Sequence, residues 1–167
     1  MLVKNLPLKD CVPMPEVSRQ YYNPFDYNAL KRVIKNRGYD KRYAIRAIWN
    51  EEKEAYEVFD GIHRLQIARD LGHSTIPVFD ETGKLTRQDA ITVGIQVNQN
   101  RSAYNPMDLA NALYELGKAI AKNSAYRTGR PPKFSSKKVA ERMCMSVSDV
   151  IESILASGNC LRMFNLS

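Results

Sequence analysis

A chain of 167 residues, 44% of them hydrophobic, has room for one or two small domains with their own cores, and nothing in that balance suggests wholesale disorder. A formal charge of +7 and a pI of about 9.4 favour an anionic partner, nucleic acid or nucleotide. The three cysteines, Cys11, Cys144 and Cys160, lack the paired spacing of a disulfide framework or zinc site, and no apolar run is long enough to span a membrane. No signal-peptide pattern opens the chain, so a cytoplasmic location is expected.

Met1 to Tyr22 carries Pro7, Pro13 and Pro15 and is expected to run as extended segments around a short strand. Asn23-Pro24-Phe25-Asp26 reads as a turn into a helix capped by Asp26, with Leu30, Val33 and Ile34 on one face and Gly38 at its end. Lys41 to Trp49 alternates like a strand and is expected to pair with Ala55 to Phe59 across the Asn50 to Glu54 turn. After Asp60-Gly61, a turn signal, Leu65, Ile67, Ala68 and Leu71 recur at helical spacing until Gly72. Thr75 to Phe79 then returns as a strand.

The join from Asp60 to Arg64 carries the chemistry. Gly61 permits a tight turn and a close ligand, and the helix-start amides after it present partial positive charge. A helix start disfavours cations, so His63 and Arg64 in its first turn point to a bound anion, most simply a phosphate. The alternative is that Arg64 is solvated and His63 packs locally.

Beyond the Glu81 to Lys84 crossing, Ile91, Val93, Ile95 and Val97 alternate as a strand would, yet Thr86 can cap a helix over the same residues. Asp108 to Lys122 is a helix with the apolar stripe Leu109, Ala112, Leu113, Leu116 and Ile120. The densest positive stretch follows: Lys118, Lys122, Arg127, Arg130, Lys133, Lys137, Lys138 and Arg142 against Glu141 alone. Such a concentration is the electrostatic footprint expected for a phosphate backbone. Thr128 to Lys133 within it reads as a flexible basic linker, and its Gly-Arg-Pro core also resembles an AT-hook.

Val139, Ala140 and Met143, then Cys144-Met145-Ser146, then Val147, Val150, Ile151 and Ile154 follow a helix-turn-helix pattern, with Ser146 capping the second helix. Glycine is commoner than cysteine at the turn position of Cys144. Ser146, Ser148 and Asp149 are the candidates for DNA contact on the second helix, beside Arg127, Arg130, Lys133, Lys137 and Lys138 ahead of it. The alternative for the pattern is a plain helical hairpin that completes the core.

Gly61-Ile62-His63-Arg64-Leu65 with Ala68, Leu71-Gly72 and Ile76-Pro77-Val78 resembles the phosphate-binding segment of the ParB/sulfiredoxin superfamily. The order continues as in ParB partition proteins: Asn98-Gln99-Asn100-Arg101 matches a helix end, Asn105-Pro106 opens the next helix, and a helix-turn-helix follows. By this resemblance Thr86 to Asn100 is a helix. The resemblance implies an α+β fold, a small mixed-sheet ParB/sulfiredoxin-like domain over residues 1–102 and an all-helical helix-turn-helix domain over 103–167.

It further implies a centromere-binding partition protein that loads and spreads on double-stranded DNA under CTP control, as a homodimer or larger assembly, with a ParA-type ATPase as partner. Gly61, Ile62, His63, Arg64, Asn98 and Arg101 would hold the nucleotide, and Asn98 would reach Mg²⁺. Two departures stand out: Val97 occupies the place of a family carboxylate that helps hold Mg²⁺, and of the segment that contacts the CTP base only Gly38 is kept in Gly38-Tyr39-Asp40-Lys41-Arg42. The chain is expected to be a piece of a longer protein.

Three other readings compete. Sulfiredoxin chemistry needs a cysteine where Ile62 stands, which argues against a thiol-dependent reductase. A small-molecule kinase of the superfamily needs a carboxylate, for which Glu57 and Asp60 are candidates. A DNA-binding regulator that kept the fold and lost nucleotide use is the reading that Val97 favours.

Overall fold

Five short runs rich in β-branched and aromatic residues build one mixed sheet: β1 (Val3–Pro7), β2 (Cys11–Pro13), β3 (Ile45–Asn50), β4 (Ala55–Asp60) and β5 (Thr75–Asp80), in the order β1-β5-β3-β4-β2. In this computed structural model, which describes residues 3–18, 23–101, 105–128 and 133–156, β3 pairs antiparallel with β4 from Asn50 opposite Ala55, and parallel with β5. Pro7 and Pro13 both lie in edge strands, where a missing backbone donor does no harm. Leu8, Cys11, Ile45, Ala47, Val58, Ile76 and Val78 form a buried cluster with Leu65 and Ala68 of helix α2 (Ile62–Asp70), so α2 is seated by its apolar side.

Helix α1 (Pro24–Arg37) ends at Gly38 as expected, but its cap is Asn23, whose side chain accepts from the Phe25 amide at 3.0 Å. Proline at the first helical position leaves the capping to the residue before it, and Asp26 falls in the first turn, where the dipole favours it. Of the expected face only Ile34 is buried, and Val33 is 51% exposed. Polar contacts hold this helix instead: Asp70 of α2 accepts from Tyr27 at 3.0 Å, Lys31 at 2.9 Å and Gln66 at 2.9 Å. The strand expected from Lys41 begins only at Ile45, because Asp40 accepts from the Arg42 amide and winds Lys41–Tyr43 into a 3₁₀ turn.

Helix α3 (Arg87–Asn100) settles the strand-or-helix ambiguity. Thr86 and Asp89 cap it reciprocally, the Asp89 amide donating to Thr86 Oγ1 and the Thr86 amide to Asp89 Oδ2, both at 3.2 Å. Ile91 and Ile95, one helical turn apart, are fully buried. The chain divides into two compact units at Ala90/Ile91, within α3.

The second unit contains α4 (Pro106–Thr128), α5 (Ser136–Met143) and α6 (Val147–Ala156). Asn105 caps α4 through the Asp108 amide at 2.8 Å, and the helix runs past Lys122, so Arg127 lies in it. Leu113 and Leu116 are buried. Phe134 stacks on Tyr114 at 5.9 Å between ring centroids and lies on α4 where Gly117 has no side chain. Ser135 caps α5, and Ser146 caps α6 by accepting from the Asp149 amide at 3.0 Å. Val150 and Ile154 are buried, but Val147 and Ile151, expected with them, are 42% and 36% exposed: the buried face of α6 is a single i, i+4 pair within this unit. No helix among the described residues is long and apolar enough to cross a membrane.

Candidate functional site

β4 ends at Asp60, and Gly61, at φ 88° and ψ 25°, turns the chain through the left-handed region into α2. A side chain there would be strained, and its Cβ would also fall 2.8 Å from Ile45 Cγ2 and 3.0 Å from Arg64 Nη2. Glycine is therefore required twice over. The Leu65 amide donates to the Gly61 carbonyl at 3.0 Å, which closes the first turn, and no side chain caps the helix start.

Arg64 folds back over this turn. Nη1 donates to the Tyr43 carbonyl and, at 3.4 Å, to that of Ala44, while Nη2 stands 3.6 Å from the Asp60 carboxylate. The arginine side chain is 14% exposed, so it is neither solvated nor turned outward to an anion. His63 meets the Tyr27 ring edge-on at 5.9 Å, and Ile62 packs against the sheet core. Beside Arg64, burial pushes the Tyr39 hydroxyl up to about 12, with the Arg64 charge opposing it. Gly61, Ile62, His63 and Arg64 thus share one turn of the first unit. Asn98, half-buried, and Arg101, exposed, lie at and just after the end of α3 in the second unit.

Glu57, three residues before Asp60, is fully buried in an ion network. It accepts from Arg87 Nε at 2.7 Å and Nη2 at 3.2 Å and from Lys53 at 2.6 Å, and Arg87 also pairs with Glu16 at 2.9 Å. Burial pushes this carboxyl up, but hydrogen bonds from Arg87, Lys53 and Asn50 outweigh it and hold Glu57 at about 2. Both oxygens are committed, so Glu57 is unsuited to take a proton from a substrate.

The sequence alone gave no hint of this network, because Glu16, Glu57 and Arg87 are far apart in the chain. The Asp60–Arg64 pair did have a signal: opposite charges at i, i+4.

For Mg²⁺ the donor set fits poorly. The Val97 side chain has no oxygen, that of Asn98 offers one neutral amide, and among the described residues no three His, Cys, Asp or Glu are gathered to hold a metal.

In the second unit Lys133, Lys137 and Lys138 are exposed on α5 and just before it. Arg130 lies outside the described residues, and Arg127 sits in the last turn of α4. Ser146 is committed as the α6 cap, Ser148 and Asp149 are exposed, and α6 contains no lysine or arginine. Of this helix pair, α5 and its approach carry the positive charge. Cys144 joins the two helices in the left-handed region at φ 54°, which explains why glycine is the commoner residue there.

No protein-family model matches the chain, and no curated protein does. Solved structures do. The C-terminally truncated chromosome-partitioning protein ParB from Caulobacter crescentus, complexed with CTP-gamma-S, matches at 19% identity and a TM-score of 0.52 over 93% of this chain and 79% of that one. The same protein complexed to the centromeric parS site matches at 17% identity and a TM-score of 0.50, over 90% of this chain and 70% of that one. A pNOB8-like ParB N-domain matches at 15% identity and a TM-score of 0.60, over 96% of this chain and 70% of that one. Likeness at such identities is a likeness of fold: this chain has the α+β, mixed-sheet fold of ParB N-domains.

Proposed function

We propose that this chain is a DNA-binding partition protein of the ParB type, loading and spreading on double-stranded DNA under CTP control. The observation that carries the reading is the length of the fold likeness, 93% of the chain against a ParB complexed with CTP-gamma-S and 90% against one complexed to parS. A chance resemblance of one small motif would not extend through both units.

In this reading the amides at the α2 start and Arg64 take the phosphates, with Asn98 and Arg101 contributing from the end of α3. Arg127, Arg130, Lys133, Lys137 and Lys138 meet the DNA backbone, and Ser146, Ser148 and Asp149 lie at the α6 start for base contact. Self-association and a ParA-type ATPase partner belong to the same proposal. Mg²⁺ would come with the triphosphate and be held loosely, so binding should persist where hydrolysis is slow.

The test is calorimetric titration of CTP, ATP and GTP with Mg²⁺ into the natural chain and Arg64→Ala. Heat with CTP, weakened at least about tenfold by the substitution, supports the nucleotide half. No heat with any nucleotide overturns that half and favours a DNA-binding regulator without nucleotide use. Two observations speak for this second reading: Arg64 is engaged by protein groups, and Val97 removes a metal ligand. The kinase reading loses Glu57 to its ion network.

A further inference from the structure

The guanidinium that would meet an anion at the α2 start already has partners. Arg64 donates to the Tyr43 and Ala44 carbonyls and faces Asp60 at 3.6 Å, with both charged side chains nearly buried, 14% and 11% exposed. It lies so close over Gly61 that a Cβ there would fall 3.0 Å from Nη2. Nη1 is taken by the two carbonyls and Nη2 faces Asp60, so the end-on pair of donors meets a phosphate in the bidentate geometry only when the planar guanidinium turns. The turn it grips is otherwise held locally: the Tyr43 amide donates to Asp40 and the Ala44 amide to Lys41.

Building on the nucleotide reading above, we propose that Arg64 is a two-position latch, held by Asp60 and the Tyr43 and Ala44 carbonyls in the ligand-free chain and drawn off by a phosphate group, which frees the Lys41–Ala44 segment from α2. Asp60 sets the strength of the latch. Its carboxylate holds Arg64 in place and repels an incoming phosphate, so it lowers affinity in both ways. The anion shifts the equilibrium only by what it gains in one arginine position over the other. A ligand of the α2 turn is thereby coupled to the segment between Gly38 and β3.

Hydrogen exchange on the full chain reads the latch, with inorganic triphosphate as the probe because it carries the phosphates and no base to cover the segment. Amides of Lys41 to Ile45 should exchange at least about fivefold faster with triphosphate bound, and Arg64→Ala should show the fast exchange with no ligand. Arg64→Lys, which keeps the charge and loses the fork, should do the same if the alanine variant does not fold. By calorimetry Asp60→Asn should bind triphosphate about fivefold more tightly. Unchanged or slowed exchange with triphosphate bound, or no tighter binding by Asp60→Asn, overturns the latch and leaves the nucleotide reading in place. No heat from triphosphate or CTP on either the natural chain or Asp60→Asn overturns both.

Discussion

Glu57 shows how far one buried side chain can be read from its partners. A lone carboxylate at zero exposure would be costly, and here Arg87, Lys53 and Asn50 keep it ionised at about 2, below its ordinary 4.5. Because the folded pKa is depressed, the stability it contributes is present above about pH 4.5 and is lost as pH falls towards about 2. Urea melts across that window should show an acid limb that Glu57→Gln flattens. Arg87→Ala leaves the carboxylate with Lys53 and Asn50 only and should cost about 3 kcal/mol in the same melts.

Two residues at positive φ give opposite predictions. Gly61→Ala adds a Cβ to a strained, crowded turn and should destabilise by about 1–2 kcal/mol. Cys144→Gly relieves a side chain at φ 54° and should raise stability by about 0.5–1 kcal/mol, read as a higher urea midpoint at unchanged slope. Both glycine preferences were legible in the sequence. Arg64 was legible only as a residue of interest: its carbonyl partners arrive from a segment some twenty residues upstream, which no local pattern encodes.

At the scale of elements, what the sequence made plain was whatever punctuation and period agree on. The β3–β4 hairpin, the Gly61 turn into α2 and the capped starts of α5 and α6 carry turn or cap residues next to apolar spacing of the right period. α3 did not, because four β-branched residues at alternate positions imitate a strand, and the reciprocal Thr86–Asp89 cap together with the Ile91–Ile95 face decides for helix. α1 misled differently: its grip on α2 is polar, through Asp70, so the hydrophobic pattern overstated its buried face.

Phe134 on Gly117 had no signal in the sequence at all. A Cβ there would fall 2.0 Å from the ring, so Gly117→Ala must displace Phe134 and should cost about 1–3 kcal/mol, checked by chemical melts. That ring stands directly before the α5 cap Ser135 and between the exposed Lys133 and Lys137. The basic surface should be read by salt: each phosphate contact removed by replacing Arg127, Arg130 or Lys133 with alanine should lower the slope of log affinity against log salt by about 0.9. An unchanged slope and affinity would mean that this stretch does not touch the backbone.

For the whole molecule, the proposed function needs the phosphate-type turn of the first unit and the basic residues of α5 and its approach in the second. The fold rests on the sheet, the left-handed Gly61 turn and the likeness to solved ParB structures, and the proposed function needs both a nucleotide and a DNA contact. The most direct test is therefore a mobility-shift titration of the natural chain on duplex DNA at fixed low salt, with and without CTP and Mg²⁺. The account predicts DNA binding in both series and additional, slower-migrating complexes when CTP is present. Identical titrations with and without CTP would contradict nucleotide control, and no shift in either series would contradict the DNA-binding claim itself.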